Sequence, residues 1–246
     1  MRGLLLSTER KGQTLICKIA NLGVDVPELG DLPWRCKPYE ADVPVDITLN
    51  AAKIRPDICE TLSAEDNYYL ISGYYFYQQL LRHDGMMLHA SAVVVDGDAY
   101  LFSGPCGIGK STHTAMYKKT WPDAVIINDD KPALRRIDGT WYAFGAPWCG
   151  KDGINVNTSA PLGGICFLHR GDTLLRRLTP LEAVPLILKQ TIGQDTARDA
   201  ELLMGVIDEL LRNIPVFEFF NHAAPGDEQI TYRAMREAIG RKEKTL

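Results

Sequence analysis

Residues 86–112 read MMLHASAVVVDGDAYLFSGPCGIGKST. Within it, Gly104-Pro105-Cys106-Gly107-Ile108-Gly109-Lys110-Ser111 satisfies every fixed position of the pattern G-x-x-x-x-G-K-[ST]. The chemistry needs these residue types. Glycines let successive backbone N–H groups turn inward and form a nest for an anion. A helix opening at Lys110 aims its positive end at the same anion. The Lys110 ammonium offsets the charge of β- and γ-phosphates, and the Ser111 hydroxyl is placed to reach Mg²⁺. The expected nucleotide-binding set is Gly104, Pro105, Cys106, Gly107, Ile108, Gly109, Lys110, Ser111 and Thr112, with ATP and Mg²⁺ as cofactors.

Outward from the loop, Met87–Val95 predicts one strand and Ala99–Ser103 a second. Asp96-Gly97-Asp98 between them is a hairpin turn signal. Downstream, Val125-Ile126-Ile127 predicts a strand that ends in Asn128-Asp129-Asp130. A phosphate loop needs an acidic element to hold its metal, usually at the tip of a neighbouring strand, and Asp129-Asp130 supply it. Ala133–Ile137 and Trp141–Phe144 predict a hairpin around Asp138-Gly139, and Gly164–Leu168 a buried strand. Helices are expected at 66–83, about 180–191, 196–213 and 227–242, with a last strand at Val216–Phe219. Hairpins among helices predict an α/β fold with a mixed sheet.

Residues 1–65 form a separate β-rich region by this reading, a candidate for substrate recognition. The strands there are 15–19 and 45–49, and Pro27, Pro33, Pro38 and Pro44 mark turns. Residues 66–246 form the catalytic domain. The dense tyrosines of 66–83 are expected in the core, with a nucleotide-stacking platform as the sharper alternative.

The 246 residues carry a formal charge of −4, with 46% apolar and 24% charged residues. A packed core follows, and no excess of positive charge points to nucleic acid or an anionic membrane. The opening MRGLLLSTERKG is too short in apolar residues for a signal peptide, and no run reaches the roughly 18 of a membrane helix. A soluble, cytoplasmic protein is expected. The six cysteines contain no C-x-x-C pair, so neither a zinc ribbon nor a dithiol motif is supported.

His89 lies fifteen residues before Gly104 (104 − 89), on the strand that the Asp96-Gly97 turn folds back beside the loop. With the loop and the aspartate pair, this spacing resembles the HPr kinase/phosphorylase-like serine kinases, which are related in fold to phosphoenolpyruvate carboxykinase. The stretches LHASAVVVDGDAYLFSGPCGIGKST, INDDKPAL, GAPWCGK and APLGGICFL are similar to a branch some of whose members sit in pathways that build ribosomally made peptides, including kinases acting on lasso-peptide precursors. The resemblance covers about residues 85–220. It implies a base at Asp129, a metal held by Ser111 and Asp130, an auxiliary His89, a serine-bearing peptide or protein as acceptor, and a homo-oligomer. The glutamate-isoleucine-arginine-glycine signature is absent. Pro147-Trp148-Cys149-Gly150-Lys151-Asp152 stands in its place, which makes Lys151 and Asp152 candidate substrate or phosphate contacts. HPr itself and phosphorolysis are therefore not carried over to this chain. Two other readings stay open: a small-metabolite kinase of carboxykinase type, and a nucleotide-gated peptide-binding module without chemistry.

Overall fold

The computed structural model describes residues 15–240. The opening MRGLLLSTERKG and the last residues of the expected C-terminal helix fall outside them. The chain divides into two compact units, Met1–Ser72 and Gly73–Leu246.

In the first unit, β1 (Leu15–Ile19) and β2 (Leu22–Val26) pair antiparallel, Leu15 opposite Val26. Ala20 and Asn21 turn the chain between them at φ 52° and 59°. That is a two-residue hairpin turn without glycine, one of whose residues is an asparagine, a type that tolerates positive φ. A short helix, α1 (Leu32–Cys36), follows, and β3 (Ile47–Thr48) pairs parallel to β2. The result is a three-stranded sheet. β3 is shorter than the expected strand over 45–49.

Helix α2 (Ala64–Leu80) spans the division between the units. In the second unit come β4 (Gly85–Met87), β5 (Ala90–Val95), β6 (Asp98–Ser103), α3 (Lys110–Thr120), β7 (Val125–Asn128), β8 (Ala133–Ile137), β9 (Thr140–Phe144) and β10 (Ser159–Arg170). They are followed by β11 (Leu174–Arg177), α4 (Pro180–Lys189), α5 (Ala197–Asn213), β12 (Val216–Asn221) and α6 (Asp227–Ala238). The strands form one nine-stranded mixed sheet, ordered β4-β8-β9-β10-β6-β5-β7, with β12 beside β10 and β11 beside β12. β6, β10 and β12 run parallel, and β5 runs antiparallel to β6 and β7.

Why these residues make this sheet is clearest on β6, which is buried along its whole length. Ala99 and Leu101 enter one core, with Ile165, Phe167 and the inner faces of α4 and α5. Tyr100 and Phe102 enter the other, with Tyr117 of α3 and Tyr232 and Met235 of α6. A strand covered on both faces reads as a continuous apolar run, which is how it reads here. Each large apolar side chain buried there contributes roughly 1.5–3 kcal/mol.

The strand expected over 87–95 is two strands. Leu88 and His89 break it, and β4 joins β8 while β5 joins β6. The cause is tertiary. The His89 N–H donates to the Gln190 carbonyl at 2.6 Å, and Thr191 Oγ1 donates to the Met87 carbonyl at 2.8 Å. Of the expected tyrosine-rich helix, Phe76 and Tyr77 pack on Trp148, at 4.8 and 5.8 Å between ring centroids, and so serve the core. Among the described residues no helix is long and apolar enough to cross a membrane.

Candidate active site

The site begins with the hairpin of β5 and β6. Asp96 and Gly97 take φ 52° and 86°, and the antiparallel register sets Ala90 opposite Ser103. Ser103 Oγ donates to the His89 carbonyl at 2.8 Å, so His89 stands at the strand end that feeds Gly104. On the other side of β5, the Ala90 N–H donates to the Asp130 carbonyl at 3.0 Å. Three chain segments, 89–90, 103–104 and 129–130, therefore end side by side.

In the loop, Gly104, Gly107 and Gly109 adopt φ 142°, 76° and 113°. A Cβ at Gly107 or Gly109 would meet nothing within 4 Å, so backbone conformation and not crowding calls for glycine there. Lys110 opens α3 and is buried. Its Nζ donates to the Gly104 carbonyl at 2.9 Å and the Pro105 carbonyl at 3.2 Å. Burial lowers the ammonium pKa from its ordinary value, and the carboxylates of Asp130 and Asp129 act against that shift. Cys106, Ser111 and Thr112 are exposed, and Ile108 is half-buried.

The aspartates are held by Asn128, which is fully buried. Its Nδ2 donates to the carbonyls of Ala146 and Trp148 at 2.9 and 3.0 Å. Its Oδ1 accepts from the backbone N–H groups of Asp130 and Lys131 at 3.0 and 2.7 Å. The Asp129 N–H donates to the Ile154 carbonyl at 3.1 Å. Gly150 also lies close: a Cβ there would come within 3.2 Å of the Asp129 carbonyl oxygen and 3.4 Å of Asp130 Cβ. The segment from Cys149 to Asn155 thus borders the pair, and Lys151 and Asp152 are exposed on it.

The two carboxylates differ sharply. Asp130 is clasped: Oδ1 lies 3.1 Å from His89 Nε2, and Oδ2 is paired with Lys131 Nζ. Burial alone would raise its pKa, but the hydrogen bonds from His89 and Lys131 and their charges outweigh that and hold it at about 2. Asp129, in contrast, has a buried Oδ1 with no hydrogen-bond partner. Buried carboxylate oxygens are normally satisfied, so this one stands out in the pair. His89 is fixed from behind by Gln190, whose Oε1 lies 2.9 Å from His89 Nδ1.

Sequence reasoning missed Asn128 as the hub and Gln190 as the brace. Asn128 carried a signal, since an asparagine at a strand end makes this kind of local turn. Gln190 carried none, because it lies 101 residues from His89. Arg170 was also missed. It ends β10 with Nη2 at 3.5 Å from the Gly107 carbonyl oxygen.

A divalent ion suits this set. Among the described residues no group of three or more His, Cys, Asp or Glu side chains could hold a metal. Mg²⁺ commonly takes only one or two carboxylates and completes its shell with water and phosphate oxygens. Ser111 and Asp130, the residues expected to hold the ion, are donors of that kind.

No family model matches the chain, and no curated protein matches it. In structure the chain is similar to the Hpr(Ser) kinase/phosphatase from Coxiella burnetii, with a TM-score of 0.38 and 14% sequence identity over 63% of this chain and 99% of that one. A likeness at that level carries no weight for function.

Proposed function

We propose that the chain is an ATP- and Mg²⁺-dependent kinase that phosphorylates a serine hydroxyl of a peptide or protein, with a ribosomally made precursor peptide as the acceptor class. The observation that carries this reading is the unpartnered, buried Oδ1 of Asp129, set beside a phosphate-type loop. A loop that only binds nucleotide has no need of a poised carboxylate.

Each part of phosphoryl transfer then has a residue. The backbone N–H groups of 104–111 cradle phosphate oxygens, and Lys110 exchanges its two loop carbonyls for them. When bound, ATP supplies the phosphoryl group and Mg²⁺ draws charge from it. Ser111 and Asp130 would hold the ion. Asp129 would take the serine proton. Asp130 is a poor proton acceptor, because a carboxylate held at about 2 gives little driving force for transfer. His89, braced by Gln190, orients Asp130. Lys151 and Asp152 would face the acceptor from the bordering segment. The acceptor class itself rests on the resemblance carried by the stretches LHASAVVVDGDAYLFSGPCGIGKST, INDDKPAL, GAPWCGK and APLGGICFL.

The test is incubation with γ-labelled ATP, Mg²⁺ and a library of serine peptides, beside matched peptides with alanine for serine. Label in the serine peptides alone is the expected result. Label in a small molecule would point to a metabolite kinase. Nucleotide binding without transfer would leave only a binding module.

A further inference from the structure

We propose a second ligand site, lined by none of the phosphate-loop residues, between the β8–β9 hairpin and α5. It takes a small zwitterion with an apolar body, of the apolar amino-acid type.

The cavity holds about 220 Å³. That is below the roughly 300–1,000 Å³ of pockets for drug-sized ligands, so its occupant is metabolite-sized. Leu81, Leu202 and Val206 supply apolar wall. Arg136 and Trp141, both in the lining, stand directly opposite each other in the hairpin register. Cross-strand partners project from the same face of a sheet. Trp141 is only 3% exposed. Its Nε1 and the Nε of Arg136 are both buried and both lack a hydrogen-bond partner. Two unpaired buried donors from one cross-strand pair are uncommon, and they call for an oxygen acceptor.

Charge narrows the choice. Arg136 pairs with Glu209 at 3.2 Å, and Arg198 pairs with Glu201 at 3.2 Å. Asp84 adds a third carboxylate to the lining. Three carboxylates against two guanidinium groups repel a bare anion. A molecule that brings a carboxylate to Trp141 and Arg136 and an ammonium to the acidic side chains satisfies both signs.

Gly205 gives an independent indication. It lines the cavity from the middle of α5, where glycine is unfavourable in a helix. A Cβ at that position would meet nothing within 4 Å. Packing within the chain does not require glycine there, and the absent side chain leaves this wall of the cavity open.

The test uses the full chain and isothermal titration with L-leucine, L-methionine and L-phenylalanine, beside isovalerate and isopentylamine, which each lack one of leucine's charges. At least one amino acid should bind saturably, and in the leucine series each half-molecule should bind at least about tenfold more weakly, the loss expected for one charged hydrogen bond. Trp141→Phe, which removes the N–H and keeps an aromatic ring, should weaken amino-acid binding by about tenfold. Gly205→Leu should abolish it, with nucleotide binding unchanged in both variants. Gly205→Ala serves as the milder replacement if the leucine variant fails to fold, and it should weaken binding while raising helix stability. Absence of saturable binding by all three amino acids would overturn the proposal, as would equal affinities in wild type, Trp141→Phe and the Gly205 variants.

Discussion

His89 Nε2 faces Asp130 Oδ1 at 3.1 Å, and its other ring nitrogen is braced by Gln190 Oε1 at 2.9 Å. The histidine therefore holds one aspartate of the pair and leaves the other, Asp129, with an oxygen unclaimed. We expect His89→Ala and Gln190→Ala each to slow phosphate transfer by less than Asp129→Asn does, because they act through Asp130 and touch no reacting atom. Single-turnover rates of the three variants check this order. A His89→Ala rate below that of Asp129→Asn would reverse the roles.

Lys110 is a buried side chain whose ammonium ties two loop carbonyls together. Lys110→Ala should abolish ATP-dependent thermal stabilisation. It should also cost the nucleotide-free protein about 1–3 kcal/mol, since hydrogen bonds from a charged donor are lost. Urea unfolding with and without ATP separates the two effects. An ATP-induced shift equal to that of wild type would remove the loop from phosphate binding.

Asn128 uses both its donors and its acceptor on four backbone groups around the aspartate pair. Asn128→Ala should lower stability by about 2–4 kcal/mol, because buried carbonyl and N–H groups are left unpaired. Denaturant midpoints measure it, and a loss under about 0.5 kcal/mol would show that the turn stands without its hub.

The same residues show what sequence could and could not give. The turns of the loop were legible because Gly104, Gly107 and Gly109 allow the positive φ they take. The Asp96-Gly97 and Asp138-Gly139 turns were legible because positive φ narrows the choice of residue. β6 was legible as an apolar run. The break at Leu88-His89 was not, since Gln190 and Thr191 impose it from about a hundred residues away. β10 runs from Ser159 to Arg170, far beyond the apolar core of Gly164–Leu168. Its opening carries Pro161, which reads as a strand breaker yet pairs with Tyr142 near the start of the strand. β2 went unread because its turn uses Ala20 and Asn21 in place of glycine.

Acid sensitivity should centre on His113. It sits in α3 between Phe102, Tyr117 and Phe219, with Nε2 at 3.0 Å from Thr231 Oγ1. Burial pushes its pKa from the ordinary 6.5 down to about 3. Below about pH 6.5 the unfolded chain binds a proton that the folded one refuses, so stability falls with pH. The contribution is full above about 6.5 and is lost progressively toward 3. His113→Phe should remove about 1 kcal/mol of that loss per pH unit in this window. Urea unfolding at pH 7, 6 and 5 measures it, and parallel curves for wild type and variant would contradict the assignment.

Magnesium dependence should fall on Ser111 and Asp130. Ser111→Ala and Asp130→Asn are expected to weaken Mg²⁺-dependent turnover more than metal-free nucleotide binding, since they would touch the ion and not the nest. Equal turnover with and without divalent ion in the unaltered protein would exclude the metal from the reaction.

Transfer of a serine hydroxyl proton to Asp129 is the step on which the proposed reaction turns. Its most direct measurement is the single-turnover rate of Asp129→Asn on whichever serine peptide the unaltered enzyme labels, with nucleotide affinity titrated alongside. Asparagine keeps the volume and one acceptor oxygen, so the fold should persist. A rate lower by about 10²- to 10⁴-fold is expected, with ATP affinity nearly unchanged. A full-rate Asp129→Asn enzyme would contradict it.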